Sequence, residues 1–394
     1  MKEVVIVSAA RTAFDKFGGL MKDMNTAELG SIVTKEVLTR ANVSPKDIEE
    51  FYLGINMPTQ NRSIARQTAL LAGLPEQTNA LTVDRACCSS LSAIAMAYRA
   101  IALGEAKVAI AGGSENMSNV PYFVNDLRWG KRIGDVVLKD IMVVSCPYTG
   151  VSRAVQAGNG ADKYGVTRQE QDEWAMNSHK KYFEAKKADK FKVEIVPITI
   201  KNKKGDIIIE DDQSPRKDVS LESLAKLSTV YNSSTVTAGN APGLNTGAAV
   251  VLLMSREEAT QRGLKPLATI VSHAQVSDHP DGITYTPGFA AKKALAKVGM
   301  SIEQMDLIEI NEAFAAMPLV SSLVLADNDK EKAKELHKKI NVDGGAIAIG
   351  HPTGASAARL VMHLCYELQR RGGGYGLATI CGGIGEGESL IVKV

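Results

Sequence analysis

Residues 80–91 are Ala80-Leu81-Thr82-Val83-Asp84-Arg85-Ala86-Cys87-Cys88-Ser89-Ser90-Leu91. They decide the fold because their first four residues predict a short strand and their last residues predict the start of a helix. Apolar side chains then recur at the spacing of one helical face, and a glycine predicts the helix end: Leu91, Ile94, Ala95, Tyr98, Ile101, Ala102 and Gly104. Cys87 is therefore expected where a strand turns into a helix.

The position of Cys87 allows two interpretations. The positive end of a helix dipole and the unpaired N–H groups of the first turn stabilise a thiolate, and can lower a thiol pKa from about 8.5 to near 7. That favours a nucleophile. The alternative is a small buried apolar residue, which is the usual environment of a free cysteine.

Composition restricts the class of protein. The chain has 394 residues, of which 45% are hydrophobic and 23% are charged, and this predicts a large globular enzyme with two or three core-bearing units. A net charge of +2 indicates no nucleic-acid or membrane partner, and no apolar run reaches the roughly 18 residues of a membrane span. Five cysteines without paired spacing favour reduced thiols, a cytoplasmic location and no metal site.

The pattern of strands and helices changes twice along the chain. Runs typical of strands at Val4–Val7, Glu50–Leu53 and Val108–Ala111 alternate with helical patterns such as Thr26–Arg40, which predicts a mostly parallel, helix-covered sheet. From Met117 to about Asn240 this alternation stops, and we predict an inserted loop domain over residues 117–240. Its lysines form either a solvated face, the interpretation we favour, or a patch for a phosphorylated cofactor: Lys180, Lys181, Lys186, Lys187, Lys190 and Lys192.

Three segments of the second half resemble segments of the first, in the same order. The pairs are Ser44–Gly54 with Ser301–Asn311, Val83–Asp84 with Val342–Asp343, and Ala111–Glu115 with Cys381–Glu386. The repeat predicts two related α/β halves, residues 1–116 plus 241–265 and residues 266–394. If the halves pack as equivalents, their corresponding turns meet at one site.

The second half supplies three turns whose residues are candidates for catalysis. Asn311 begins Asn-Glu-Ala-Phe at a predicted strand end, which favours function, although a helix cap is equally compatible with this sequence. Cys381 begins Cys-Gly-Gly-Ile-Gly-Glu-Gly, where a proton-shuttling thiol could lie beside an anion hole, or where the glycines could form only a tight turn. His351 is bracketed by residues that shape the backbone, and this favours a proton-transfer role: Gly344, Gly345, Gly350, Pro352 and Gly354.

Together these residues provide the parts that covalent acyl transfer needs: a thiol nucleophile, a base, a second acid or base, and oxyanion donors. The sequence resembles the thiolases (acetyl-CoA acetyltransferases and 3-oxoacyl-CoA thiolases) essentially end to end. The resemblance depends most on Asn-Glu-Ala-Phe at 311–314, Gly-His-Pro-Thr-Gly-Ala-Ser at 350–356 and Cys-Gly-Gly-Ile-Gly-Glu-Gly at 381–387.

The resemblance implies a role for each residue. Cys87 would carry the acyl group, His351 would activate it, and Cys381 would exchange a proton with the enolate of acetyl-CoA. Asn311, through a water, and His351 would form one oxyanion hole, and the N–H groups of Cys87 and Gly383 to Gly385 another. The CoA contacts carried over from the family are Arg216, Ala241, Gly383 and Gly385.

The resemblance also implies an architecture. Two duplicated βαβαβαββ halves would form α-β-α-β-α layers, with the loop domain as a lid that binds CoA. The family implies no tightly bound cofactor and no metal, with CoA or acyl-CoA as substrate. It also implies a homodimer or homotetramer.

The chain departs from the family near the predicted site. Cys88 and Ser90 replace the glycines that usually follow the nucleophile, which adds bulk there, and Pro242 and Thr246 replace a common Ser and Asp. The loop at 147–160 lacks the usual His-Met-Gly stretch. We therefore expect a thiolase for a bulky or unusual 3-oxoacyl-CoA. The alternatives are a biosynthetic acetoacetyl-CoA thiolase, a condensing ketosynthase, and a CoA-binding subunit that requires a partner.

Overall fold

The computed structural model describes residues 1–57, 59, 61–143 and 145–394. Its strands, β1 to β13, are Val4–Thr12, Asp15–Lys16, Glu50–Gly54, Asn79–Val83, Val108–Asn116, Ile195–Val196, Ile198–Ile200, Ile207–Ile209, Asn245–Ser255, Ala268–Ser277, Leu307–Ile310, Tyr375–Gly382 and Glu386–Lys393. Its α-helices, α1 to α12, are Thr26–Ala41, Ile64–Leu71, Ser89–Leu103, Arg153–Tyr164, Arg168–Lys187, Leu221–Ala225, Arg256–Gln261, Thr286–Ala296, Ala316–Leu325, Lys330–His337, Ala346–Ile349 and Ser356–Arg370.

The two halves share one sheet topology, which confirms the predicted duplication. The first half has the order β4-β3-β5-β9-β1, and the second has β11-β12-β13-β10 with Ile340 bridged in parallel outside β11. In each half the outer pairs are parallel and the inner pairs are antiparallel. A short antiparallel pairing of Val5 and Ile6 with Thr269 and Ala268 joins the half-sheets, a link that the sequence did not predict.

Helices cover both faces of each half-sheet, as the layered prediction requires. All nine residues of β1 are buried, which is typical of a strand covered on both faces. Helices α3 and α12 pack between the half-sheets, α1 and α2 cover the outside of the first half, and α8 to α10 cover the second. The window Ala86–Leu103 has a mean hydropathy of 1.5, but 67% of it is buried here, so packing between the sheets accounts for its apolar character.

Residues 117–240 carry α4 to α6 and β6 to β8, and we call this segment the lid. Thr167 and Glu170 form a capping box at the start of α5, and β7 and β8 form an antiparallel hairpin. The boundaries at 117 and 240 stay a prediction. Four of the six lysines named above are exposed, although one of these, Lys186, pairs with Asp211. Lys190 is half-buried and pairs with Asp343 and Glu367, so the interpretation as a solvated face is only partly right.

A buried network of charges ties the lid to both halves, and we call Arg11, Glu194, Asp212, Asp343 and His363 the lid network. Arg11 of the first half pairs with Glu194 at 2.9 Å and Asp212 at 2.7 Å, both from the lid. His363 of the second half pairs with Glu194 at 2.7 Å and Asp343 at 3.3 Å. Burial disfavours a charged imidazole, but the carboxylates outweigh it and raise the pKa of His363 to about 10.

Candidate active site

The turn that carries Cys87 lies between β4 and α3, as predicted. Ala86 has a left-handed backbone, with φ of 49°, which is uncommon for a residue with a side chain. Ser89 Oγ accepts from the Arg85 N–H at 2.9 Å and donates to the Ala86 carbonyl at 2.6 Å, so the turn is fixed by its own hydrogen bonds. The residue Cys87 is partly accessible to solvent, although protein atoms surround its thiol.

The predicted lowering of the Cys87 pKa is wrong for this structure. Burial raises the pKa of the Cys87 thiol far above its ordinary value, and the nearby Cys381 and Glu115 raise it further. A helix N-terminus stabilises an anion by about 0.3 to 2 kcal/mol, which is less than the cost of desolvating a thiolate here. Cys87 is therefore a neutral thiol at rest and needs a base.

His351 lies in the predicted glycine-rich turn between α11 and α12. Gly350 has φ of +117°, and a Cβ on it would lie 2.7 Å from the Asn245 amide carbon. The His351 N–H donates to Asn245 Oδ1 at 2.8 Å, and the ring atom Nδ1 lies 2.6 Å from Ser356 Oγ. These two hydrogen bonds fix the backbone of His351 and the orientation of its imidazole ring.

The hydrogen bonds of Ser356 indicate which ring nitrogen of His351 is the base. Ser356 Oγ donates to the Pro352 carbonyl at 2.9 Å, which can only accept. We therefore assign the proton to His351 Nδ1, donating to Ser356, and this leaves the lone pair on Nε2. Burial, together with the charge of Arg359, lowers the pKa of His351 to about 4, so the imidazole is neutral at pH 7 and able to accept a proton.

Asn311 contacts the basic nitrogen directly. It follows β11, and its backbone N–H donates to the Thr379 carbonyl at 3.0 Å. Its side-chain Nδ2 lies 3.4 Å from His351 Nε2. In the described part of the chain, the buried Asn311 Oδ1 has no hydrogen-bond partner. The predicted pairing of Asn311 with His351 at one site is therefore present.

Cys381 lies near the end of β12, beside the turn of Cys87. It is buried in an apolar cluster with Ala154 and Ala157 of the lid and Met317 of α9. Burial raises the pKa of Cys381 to about 12. A Cβ on Gly383 would lie 3.6 Å from the Ala86 methyl, so the two cysteine-bearing turns touch.

The four CoA-contact predictions fall in two places. Ala241 packs against the apolar cluster that contains Cys381, and Gly383 and Gly385 follow Cys381 in the same turn. Gly385 has φ of +68°, and a Cβ there would clash with the His279 carbonyl, which explains the glycine. Arg216 lies on the exposed surface of the lid, where its backbone N–H donates to His179 Nδ1 at 3.2 Å.

The expectation that Cys88 and Ser90 add bulk beside the nucleophile is corrected by their contacts. Both side chains are fully buried in the layer between the sheets. Cys88 Sγ lies 3.7 Å from the Ile380 carbonyl, and Ser90 Oγ accepts from the Ala358 N–H of α12 at 3.0 Å. They fix α3 against β12 and α12.

Sequence reasoning missed Glu115, which joins the halves at the site. Its buried carboxylate accepts from the N–H groups of Asn56, Met57 and Gly354 and from the Thr353 hydroxyl, at 2.9 to 3.3 Å. Burial raises the pKa of Glu115 to about 7 despite these donors. Its place in the repeated segment Ala111–Glu115 was visible in the sequence, but its partners were not.

The contacts of Glu312 show which residue of the Asn-Glu motif has a structural role. It is buried and accepts from Trp174 Nε1 and Ser178 Oγ of the lid, each at 2.8 Å. It also accepts from Asn341 Nδ2 and the Ile347 N–H, each at 3.0 Å. Glu312 therefore anchors the lid to the second half, while Asn311 faces the imidazole.

No group of three or more His, Cys, Asp or Glu side chains in residues 1–57, 59, 61–143 and 145–394 is arranged to hold a metal ion.

Comparison with known proteins identifies similar chains over the full length. The model of the thiolase N-terminal domain matches residues 4–257, and that of the thiolase C-terminal domain matches residues 264–394. An acetyl-CoA acetyltransferase of Syntrophomonas wolfei is 41% identical over 401 residues, covering 100% of this chain and 99% of its own. A beta-ketothiolase of Cupriavidus necator is 40% identical, covering 100% and 99%. The crystal structure of human mitochondrial 3-ketoacyl-CoA thiolase superposes with a TM-score of 0.94 at 36% identity, covering 100% and 99%.

Proposed function

Since the chain belongs to the thiolase family, we propose that it catalyses CoA-dependent cleavage of a 3-oxoacyl-CoA, or the reverse condensation, through an acyl-enzyme on Cys87. The observation that supports the proposal is the contact between the elements that carry the two thiols and the imidazole: Ser90 of α3, which follows Cys87, binds the Ala358 N–H of α12, which follows His351. The Cys87 and Cys381 turns touch each other, and Asn311 lies against His351 Nε2.

In the first half-reaction, Cys87 Sγ attacks the C3 carbonyl carbon of the substrate. Its proton passes to His351 Nε2, because the raised thiol pKa requires removal of the proton as the bond forms. The C2–C3 bond breaks, and the acetyl-CoA enolate takes a proton from Cys381. Asn311, through a water, and His351 would supply one oxyanion hole, and the N–H groups of Cys87 and Gly383 to Gly385 would supply the other.

In the second half-reaction, the Cys381 thiolate removes the proton of the incoming CoA thiol. The CoA sulfur attacks the thioester, an acyl-CoA forms, and the Cys87 sulfur leaves and recovers its proton from His351. Each group returns to its starting state, so the cycle runs in either direction. No redox step is needed.

The second thiol distinguishes the proposed thiolase from a condensing ketosynthase, because the proposed cycle uses Cys381 as its second acid or base. The full set of Cys87, His351 and Cys381 argues against a binding subunit without turnover. We propose CoA thioesters as the substrates. A homodimer or homotetramer, an accessory subunit and a cytoplasmic location remain predictions.

Two variants test the roles of the thiols. Cys87→Ser is expected to abolish acyl-enzyme formation, and trapping a labelled acyl group on it as efficiently as on the wild type would refute the nucleophile assignment. Cys381→Ala is expected to keep acylation of Cys87 but to lose proton exchange at the acetyl methyl group. Unimpaired exchange in deuterated water would exclude that role for Cys381.

A further inference from the structure

Arg153, the first residue of α4, brings a positive charge from the lid into the site. A Cβ on Gly383 would lie 3.5 Å from Arg153 Nε and 3.6 Å from Arg153 Nη2, and 3.6 Å from the Ala86 methyl. The guanidinium therefore lies where the Cys381 turn meets the turn of Cys87. The next residues of the same helix pack against Cys381 in the apolar cluster.

The hydrogen bonds of Arg153 leave much of its guanidinium available. Nη1 donates to Gln156 Oε1 at 2.9 Å, and Gln156 is held in turn by Asp281 Oδ1 at 2.9 Å and the Pro280 carbonyl at 3.1 Å. In the described part of the chain, no carboxylate lies within 4.0 Å of the guanidinium. Arg153 is half-buried and its partners are Gln156 and the sulfur of Cys146, so it has no carboxylate to pair with and can still bind an anion through its remaining N–H groups.

Stabilising the neighbouring thiols does not explain why an arginine stands at position 153. Burial raises the pKa of Cys146, but hydrogen bonds from Thr149, Tyr148 and Arg153 outweigh it and lower the pKa to about 6. One sulfur cannot match the planar fork of a guanidinium. The charge of Arg153 also favours thiolates at Cys87 and Cys381, yet both pKa values remain above the ordinary value because burial dominates. Thiol activation is thus a minor consequence of its placement.

We propose that Arg153 binds a carboxylate at the far end of the acyl chain, so that the substrate is a short 3-oxoacyl-CoA with a terminal carboxylate. The inference rests on the proposed function and specifies its substrate class. A guanidinium pairs with a carboxylate through two parallel N–H···O bonds, which adds geometric specificity to charge. A neutral alkyl chain would leave the half-buried charge against apolar atoms, and this disfavours the uncharged homologue.

The chemistry of the two half-reactions is unchanged, since the terminal carboxylate takes no part in bond making. Cleavage between C2 and C3 gives acetyl-CoA and leaves a carboxyacyl thioester on Cys87. CoA then releases it as a carboxyacyl-CoA. The atypical lid loop at 147–160, which contains Arg153, therefore selects the acyl group.

A matched pair of substrates tests the inference. 3-Oxoadipyl-CoA and 3-oxohexanoyl-CoA have acyl chains of equal length and differ only at the terminal group. We expect kcat/KM of the wild type to favour the carboxylate by about 100-fold, and Arg153→Met to lower that ratio to about one or below. Arg153→Lys should give an intermediate ratio, because it keeps the charge but loses the fork. Arg132→Met removes an exposed arginine of the lid and should leave the ratio unchanged.

The possible outcomes distinguish a failure of the proposed substrate class from a failure of the proposed function. Equal use of both substrates by the wild type, or an equal loss on both substrates in Arg153→Met, would overturn the role of Arg153. Mass spectrometry of Cys87 should show a succinyl adduct from the first substrate and a butyryl adduct from the second. Cleavage of 3-oxohexanoyl-CoA alone would refute only the substrate class, whereas no adduct and no cleavage with either would refute the proposed function.

Discussion

Replacing His363 by glutamine should weaken the hold of the lid on the two halves. In the wild type, the protonated imidazole lies between Glu194 and Asp343 in the lid network. Its pKa rises from 6.5 to about 10 on folding, which corresponds to at most roughly 5 kcal/mol of stability. Removing one partner of a buried ion pair costs about 3 to 5 kcal/mol, so we expect a loss within that range at pH 6.

The pH dependence identifies the cause of this loss. A group whose pKa is raised on folding contributes fully below its unfolded pKa, and its contribution disappears as the pH rises through the folded pKa. The contribution of His363 is thus complete below pH 6.5 and lost towards pH 10. His363→Gln should be much less stable than the wild type at pH 6, and the difference should shrink by pH 9.5.

Urea unfolding at pH 6, 8 and 9.5, followed by circular dichroism, measures this difference. The exposed His279 offers a control, because His279→Gln removes a histidine outside the lid network. If His363→Gln and the wild type differed by the same amount at all three values of pH, the imidazolium would not be the stabilising species. The same result would remove the electrostatic account of the lid network.

Three further substitutions test the support of the imidazole. Ser356→Ala removes the acceptor of His351 Nδ1, and should lower the rate of Cys87 acylation about 10-fold with little change in KM; an unchanged rate would refute the tautomer assignment. Gly350→Ala strains a residue with φ of +117° and forces a methyl group against Asn245, so the rate of Cys87 acylation should fall further than in Ser356→Ala. An acylation rate equal to that of the wild type would contradict this. Glu115→Gln keeps the shape but sets an amide N–H against a backbone donor, which should cost about 1 to 3 kcal/mol of stability in thermal unfolding, whereas no loss would show that its hydrogen bonds are dispensable.

Local spacing was enough to predict the turns that carry the chemistry. The strand-to-helix turn of Cys87, the glycine-rich turn of His351 and the strand-end turn of Cys381 all followed from residues within about ten positions of each. The duplicated topology followed from three repeated segments. The turns depend on residues close together in sequence, and the duplication repeats such local patterns. Hydrophobic periodicity and the positions of glycines are therefore enough to predict them.

Long-range contacts and electrostatics were not predictable in this way. Glu115 accepts hydrogen bonds from residues near 56 and near 354, and Arg153 reaches Gly383 from the lid. No local pattern marks such pairings. The pKa of Cys87 was predicted in the wrong direction because the helix dipole is visible in sequence, whereas the burial that outweighs it depends on how the halves pack.

The duplication explains why the reacting groups meet. Cys87 follows β4 and precedes α3 in the first half, and His351 follows the bridge at Ile340 and precedes α12 in the second. These are equivalent positions, and α3 and α12 pack together between the half-sheets, so their N-terminal ends are brought together. Ser90 Oγ binds the Ala358 N–H at that junction. In the proposed mechanism a single half would supply either the thiol or the base, and only the paired halves would supply both.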